Sequence, residues 1–239
     1  MNEDIDFLNL AEDYLRGGYR KDHSNDPVAH ADSLDGIAAD ISACNKCRLC
    51  QGRKHCVPGE GFASPLLLAI GEGPGADEDA SGRPFVGAAG QLLDKELISI
   101  AIDRRENCFI ANTVKCRPPG NRDPAPDELA ACAPFLQRQI TLLAPKAILA
   151  LGRIASHALL NTDTPIGRLR GNWFTYTHPV LGGIPLLPTY HPSALLRDAS
   201  YKAPAFEDLK KMMVFLAEND AEYRKKVEPL MQKYKIAVQ

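Results

Sequence analysis

Four short apolar runs, separated by segments with helical periodicity, constrain the fold of this 239-residue chain more than any other feature. The runs are almost uninterrupted by polar residues, which is typical of strands buried on both faces of a parallel sheet. They cover Leu66–Ile70, Cys108–Ala111, Lys146–Leu151 and Ile184–Leu187. Strands that alternate with helices predict an α/β fold. We therefore predict three α/β/α layers around a central four-stranded parallel sheet.

The two ends of the chain differ from the part that contains these runs. Ten acids and three bases give residues 1–40 a charge of −7, so the remainder of the chain, whose total is −2, carries +5. We predict an acidic extension over 1–40, the main domain over 41–217 and a charged helical tail over 218–239. A mildly basic main domain is compatible with a nucleic-acid partner, but binding to phosphates depends on a local patch of charge.

The composition argues against a membrane or secreted protein. No apolar stretch approaches the roughly 20 residues that span a bilayer. The start of the chain, Met1–Asp4, is acidic where a secretion signal would be basic. We therefore expect a cytoplasmic protein with no membrane contact, and a monomer as the default state.

In a parallel sheet, ligands bind beside the carboxyl ends of the strands, so the loops after the runs are candidate site segments. The first loop begins with Gly71–Ala76 (GEGPGA), which fits a dinucleotide-binding fingerprint. Asp77–Asp79 would present three carboxylates to the pyrophosphate of such a ligand, which disfavours a nucleotide-dependent oxidoreductase. The glycines still allow close approach of a flat group, and Glu72 is a carboxylate that could orient a water.

Two residues of the first two loops could contact a planar ligand. Phe85 lies between Pro84 and Gly87, so its ring is either a core residue or a stacking surface on a stiff loop. Asn112 ends the second run and is either a turn former or an amide that reads a pyrimidine edge. The cations that follow it predict a basic rim: Lys115, Arg117 and Arg122.

The loop after the fourth run contains His191–Arg197 (HPSALLR), which combines an imidazole, a hydroxyl, two leucines and a cation. Ser193 and Arg197 could bind phosphates. Leu195 could insert into a base stack. A lone histidine would indicate little, but this combination favours contact with a nucleic acid.

Seven cysteines, an odd number in a reducing compartment, favour metal binding over a disulfide framework. A C-x2-C pair precedes the first run and two further cysteines follow the second, which predicts one closed site on Cys44, Cys47, Cys116 and Cys132. Spacing alone does not separate a four-thiolate zinc from a four-iron cluster. Cys108 is expected in the core, while Cys50 and Cys56 are alternative ligands.

Together these segments resemble the family 4 uracil-DNA glycosylases of the uracil-DNA glycosylase superfamily. The resemblance extends from about Cys44 to Leu209. It rests on segments that follow the family order: Gly71–Gly75 (GEGPG), Gly82–Gly87 (GRPFVG), Asn112 with Lys115–Pro119 (KCRPP), Glu128 with Cys132, Arg170–Trp173 (RGNW) and His191–Arg197.

The resemblance implies a DNA repair enzyme that flips uracil out of single- or double-stranded DNA and hydrolyses its N-glycosidic bond, leaving an abasic site. It also implies a structural [4Fe–4S] cluster on Cys44, Cys47, Cys116 and Cys132. The implied roles are an active-site carboxylate for Glu72, approach of the base over Gly73, stacking by Phe85, binding of the pyrimidine edge by Asn112, and contact of His191 with O2.

One departure within the superfamily predicts turnover. A related group that traps the abasic site covalently has a basic, histidine-containing loop after the second motif, whereas Lys115–Asp123 contains no histidine. The main alternative from another class is a non-catalytic nucleic-acid-binding module with a cysteine-bound metal, which would use the same rim and the same thiols.

Overall fold

A computed structural model describes residues 32–236, so most of the predicted acidic extension lies outside the described residues. The helices in this range are α1 Leu34–Ala43, α2 Ala76–Ser81, α3 Ala88–Ile98, α4 Pro126–Leu143, α5 Gly152–Leu160, α6 Ile166–Leu169, α7 Pro192–Arg197, α8 Lys202–Asn219 and α9 Ala221–Lys233. The strands are β1 Glu60–Gly61, β2 Leu67–Gly71, β3 Cys108–Asn112, β4 Ala147–Leu151, β5 Phe174–His178 and β6 Gly182–Thr189.

The strands form one sheet in the order β1-β3-β2-β4-β6-β5. The four predicted runs correspond to β2, β3, β4 and β6, which pair in parallel. Two further strands, β1 and β5, pair antiparallel at the edges. The mixed α/β class is confirmed, but the sheet has six strands where four were predicted. The edge strands were missed because β1 has two residues and β5 alternates in burial, so neither is an apolar run.

Successive strand residues point to opposite faces of the sheet, and each face carries its own core. Leu67 and Ala69 of β2 lie in one core with side chains of α3, α8 and α9. Leu68 and Ile70 lie in the other core with side chains of α4 and α5. The helices therefore cover both faces, as burial of the strands requires. Cys108 belongs to the first core and is fully buried, as predicted.

Both predicted domain boundaries fall close to packed helices. The boundary at residue 40 lies inside α1, whose Ile37 and Ile41 are buried. In α9, the i, i+4, i+8 stripe of Tyr223, Val227 and Met231 is buried in the first core. The predicted charged tail is thus helical, with an apolar face on the core. Among the described helices, none combines the length and apolar character needed to cross a membrane.

Candidate functional site

A cavity of about 590 Å³ opens at the carboxyl ends of the four parallel strands. It lies where parallel α/β sheets bind their ligands. The lining includes seven of the predicted site residues: Glu72, Gly73, Phe85, Asn112, His191, Ser193 and Arg197. The fold therefore brings residues from three separate loops to one place.

Asn112 is the last residue of β3 and is 1 % exposed. Within residues 32–236, neither Nδ2 nor Oδ1 of its amide has a hydrogen-bond partner. A turn-forming asparagine would bond to nearby backbone, and this one does not. Leaving a buried polar group unpaired costs about 1–3 kcal/mol, so this amide has a donor and an acceptor available for a ligand in the cavity.

Gly71 provides the space in which the Asn112 amide lies. A Cβ at position 71 would stand 2.5 Å from Asn112 Oδ1 and 2.6 Å from Phe85 Cζ. Both distances are below any normal contact, so only glycine at the end of β2 lets the amide and the aromatic ring meet.

Phe85 is held in an uncommon backbone conformation, with φ at +52°. Left-handed backbone in a residue other than glycine is strained and persists only where its surroundings fix it. Arg104 donates to the carbonyl oxygens of Pro84 at 2.9 Å and Phe85 at 3.1 Å. The Phe85 ring is 6 % exposed, lines the cavity, and has its centroid 5.7 Å from that of His191. The ring therefore forms a fixed wall of the cavity.

Glu78 joins two of the loops around the cavity, a role that the sequence did not suggest. Its Oε1 accepts hydrogen bonds from the backbone N–H groups of Val86 at 2.9 Å and Gly87 at 3.0 Å. Its Oε2 accepts one from the backbone N–H of Gly75 at 3.0 Å. The signal was its position three residues after Gly75, where the acid of a helix-capping pair is found. Glu78 therefore holds this loop together, in addition to the negative charge that Asp77–Asp79 present to a phosphate.

His191 is held as a neutral ring. The backbone N–H of Ser193 donates to His191 Nδ1 at 3.2 Å, and Ser193 Oγ lies 2.9 Å from the same nitrogen. Because a backbone N–H can only donate, Nδ1 is the unprotonated nitrogen and the proton is on Nε2. Burial, helped by the charge of Arg197, lowers the pKa of His191 to about 4, so the ring is uncharged at neutral pH. Nε2–H is then a donor that carries no net charge.

The end of β4 makes room for this imidazole. Gly152 has φ of +85°, and a Cβ there would lie 2.7 Å from His191 Cβ. The adjoining end of β6 is anchored by Asp208, a fully buried carboxylate that accepts a hydrogen bond from Thr189 Oγ1 at 2.7 Å and one from Arg170 Nε at 2.9 Å. The RGNW segment therefore supports the loop that carries His191.

Glu72 lines the cavity as a half-buried carboxylate. Burial chiefly, and the charge of Asp123 next, raise the pKa of Glu72, while Arg153 opposes them. Arg153 is itself ion-paired with Asp123 at 2.6 Å. The mouth of the cavity thus combines carboxylates with cations, among which Arg197 forms no ion pair with any residue of the described range.

The structure corrects two predictions about exposure. Leu195 is 1 % exposed and packs inside, whereas its neighbour Leu196 on α7 is 51 % exposed. Adjacent helical residues point about 100° apart, so one of two consecutive leucines turns inward, and the sequence does not say which. Lys115, predicted on the basic rim, is 1 % exposed and donates from Nζ to the Asn112 carbonyl at 2.9 Å and to Gln139 Oε1 at 2.7 Å. Burial lowers the pKa of its ammonium to about 8.

A second, smaller cavity is lined by the four predicted ligand cysteines together with a fifth thiol: Cys44, Cys47, Cys50, Cys116 and Cys132. All seven cysteines are free. In the part of the chain that is described, no three His, Cys, Asp or Glu side chains are placed to hold a metal ion. The four predicted ligands nevertheless share one enclosed space, which they reach from the segment after α1, from α4 and from the segment after β3.

Hydrogen-bond donors face two of these thiols. Arg53 Nη1 donates to Cys116 Sγ at 3.2 Å, and the backbone N–H of Lys115 donates to Cys132 Sγ at 3.3 Å. Burial raises the pKa of the Cys132 thiol to about 11. A thiolate at this position therefore requires a bound metal centre as well as its donors, because metal ligation deprotonates a thiol that burial keeps neutral.

Comparison with known proteins gives one consistent result. The family model of the uracil DNA glycosylase superfamily matches residues 58–210. The type-4 uracil-DNA glycosylase of Sulfurisphaera tokodaii is 42 % identical over 185 residues, which cover 76 % of this chain and 84 % of the relative. That of Saccharolobus solfataricus is 43 % identical, covering 76 % and 85 %. That of Thermotoga maritima is 42 % identical, covering 77 % and 94 %.

Proposed function

The chain belongs to the type-4 branch of the uracil-DNA glycosylase superfamily, and from this premise we propose that it excises uracil from DNA in base excision repair. The observation that carries the proposal is the unpaired amide of Asn112. Uracil presents an N3–H donor beside the O4 acceptor, and a single amide complements both. Recognition of a flipped base by its Watson–Crick edge fits a buried amide of this kind.

The cavity also offers a stacking surface for the extruded base. Phe85 is fixed by its backbone contacts, and its ring lies beside that of His191. Flipping a base costs a few kcal/mol of lost stacking, which contact with an aromatic ring partly restores. Gly73 borders the same space, and a Cβ there would lie 2.8 Å from Val114 Cγ2, so glycine lets this wall of the cavity pack closely against Val114.

Base release leaves negative charge on the uracil and positive charge on the sugar, and the cavity contains one group to stabilise each charge. The leaving uracil carries negative charge at O2, where the Nε2–H of neutral His191 donates a hydrogen bond. The sugar develops positive charge, which the Glu72 carboxylate stabilises while it places the attacking water. The N-glycosidic bond breaks with its electron pair leaving on the uracil anion, and water adds to the sugar carbon. The proton lost by the water balances the charge of the uracil anion, so neutral uracil and an abasic site are formed without a covalent intermediate.

We assign contact with the DNA strand to the loop after β6. Ser193 and Arg197 line the mouth of the cavity and are placed for phosphates. Insertion into the base stack requires an exposed apolar side chain, so we assign it to Leu196 in place of Leu195. A mismatched or single-stranded uracil is easier to extrude, and we expect G·U pairs and single strands to be better substrates than A·U pairs.

We propose that Cys44, Cys47, Cys116 and Cys132 hold a [4Fe–4S] cluster. The donor set fits such a group, because Arg53 and Lys115 bring cations to a cavity lined by thiols, where thiolates would balance their charge. When bound, the cluster would cross-link the segment after α1, helix α4 and the segment after β3. Base release itself is carried out by the residues of the first cavity.

The remaining assignments complete the proposal. The enzyme acts as a monomer in the cytoplasm, a compartment supported by its seven free cysteines. We assign the glycosylase domain to the residues from α1 to α9, because the predicted boundary at residue 40 falls inside α1 and α9 packs on the first core.

The alternative of a non-catalytic binding module is tested by Glu72→Gln and His191→Asn. Loss of one preorganised group lowers kcat by roughly 100- to 1,000-fold in comparable sites, so we expect both variants to lose base release and still bind the oligonucleotide. Glu207→Gln, on the exposed side of α8, is the matched control and should behave as the wild type. Wild-type protein that binds DNA and releases no base would support the binding module instead.

A further inference from the structure

Lys115 is a buried cation that the proposed chemistry does not use. Its side chain is fully enclosed, and among residues 32–236 no carboxylate forms an ion pair with it. Its side chain lines the cysteine cavity together with Cys116 and Cys132. Burying an ammonium is strongly unfavourable unless an opposite charge faces it, so the position of Lys115 calls for an anion on the cysteine side.

The same residue connects the two cavities, because it lines the cysteine cavity and bonds to Asn112, which lines the first cavity. Its Nζ donates to the Asn112 carbonyl at 2.9 Å, at the end of the uracil cavity. Its backbone N–H donates to Cys132 Sγ at 3.3 Å, and its side chain lines the cysteine cavity. Only three residues, 113–115, separate Asn112 from Cys116, and Lys115 is hydrogen-bonded to Asn112 on one side and to Cys132 on the other.

The bond from Lys115 to the Asn112 carbonyl matters because, among residues 32–236, no polar group bonds to the Asn112 side chain and orients it. In the described range the side chain has no hydrogen-bond partner, so its direction follows from its backbone and from packing against Phe85 and Gly71. A shift of the Asn112 carbonyl would move the amide away from the base edge. The second acceptor of the ammonium, Gln139 Oε1 at 2.7 Å, fixes Nζ from the side of α4.

Building on the proposed function, we propose that Lys115 is a positioning residue that couples the cysteine site to base recognition. Its ammonium holds the Asn112 carbonyl in place, and its backbone N–H and side chain border the cysteine site. A change in the charge or occupancy of the cysteine site is then transmitted to the amide that reads the base.

The test compares Lys115→Met with wild type as iron-loaded protein. Three quantities are measured: equilibrium binding of free uracil by calorimetry, KM and kcat on a single-stranded oligonucleotide with one uracil, and the reduction potential of the cluster. We expect uracil binding to weaken and KM to rise at least about tenfold, which corresponds to about 1.4 kcal/mol, while kcat stays close to wild type. Loss of the nearby positive charge should make the reduction potential more negative.

Arg53→Gln is the matched control, because Arg53 donates to Cys116 Sγ and to the Ser42 carbonyl and bonds to neither Lys115 nor Asn112. It should shift the potential and leave uracil binding unchanged. If Lys115→Met does not fold, Gln139→Leu removes one acceptor of the ammonium, keeps its charge, and should still weaken uracil binding.

Two results would overturn the coupling: wild-type uracil affinity in a folded, iron-containing Lys115→Met protein, or an equal loss of affinity in Arg53→Gln. Because uracil binding is measured directly, wild-type protein that binds uracil without releasing it from DNA would contradict the proposed function alone.

Discussion

Replacing Asn112 by leucine removes two buried polar atoms with little change in side-chain size. The amide is 1 % exposed, and both Nδ2 and Oδ1 lack partners within the described residues. With uracil bound, leucine leaves the N3–H donor and the O4 acceptor of the base buried and unpaired. Each such group costs about 1–3 kcal/mol, so kcat/KM should fall by roughly 30-fold to 25,000-fold.

The same substitution should stabilise the uracil-free protein. Wild type folds with two unsatisfied polar atoms at position 112, and leucine removes both, so we expect the free energy of unfolding to rise by about 1 kcal/mol or more. Urea unfolding of the uracil-free protein and initial rates on a single-stranded uracil oligonucleotide measure the two effects. Loss of activity with a gain in stability is expected of a residue held unpaired for a ligand.

Asn107→Leu provides the control before the start of the same strand. Asn107 Nδ2 donates to the Ala101 carbonyl at 3.1 Å, and its Oδ1 accepts from the backbone N–H of Asp103 at 2.9 Å. Leucine leaves these groups unpaired, so this variant should lose stability and keep its kcat/KM. The reasoning is refuted if Asn112→Leu also loses stability while it retains wild-type kcat/KM.

Two further predictions concern the charge and the exposure of site residues. Because burial lowers the pKa of His191 to about 4, the ring stays neutral above that pH, and an NMR titration of the His191 imidazole should show protonation only as the pH approaches 4; a midpoint near 6.5, the ordinary value for histidine, would contradict a buried neutral ring. Leu196→Ala should lower kcat/KM on duplex DNA about tenfold and on single-stranded DNA much less. Leu195→Ala should lower the free energy of unfolding by about 2–5 kcal/mol and leave the ratio of duplex to single-strand rates unchanged. Equal effects of the two leucines on that ratio would refute the assignment of Leu196.

The sequence was sufficient to predict the strands that are buried on both faces of the sheet. Strands covered on both faces must be apolar throughout, so β2, β3, β4 and β6 were visible as runs. Parallel strands place their carboxyl ends at one edge, so Glu72, Asn112 and His191 could be expected near one another. That argument needs only the order of the elements, which the periodicity provides.

The direction in which an individual side chain points could not be predicted from the sequence in this way. Leu195 and Leu196 are identical side chains, and only packing of α7 decides which is buried. Lys115 follows a strand among other cations, where an exposed position is the usual one, and its enclosure depends on α4 folding over it. Glu78 contacts backbone eight and nine residues further along the chain, a closure that no local pattern shows.

The central claim is tested most directly by measuring free uracil and abasic sites together. Purified iron-containing protein is incubated with a tenfold excess of an oligonucleotide that carries one uracil, with thymine at that position as the control. We predict equal amounts of uracil and alkali-labile sites, rising well beyond one equivalent per protein, and no release from the thymine strand. The absence of free uracil would contradict the proposed activity, and release that stops at one equivalent with a stable protein–DNA adduct would contradict hydrolysis with turnover.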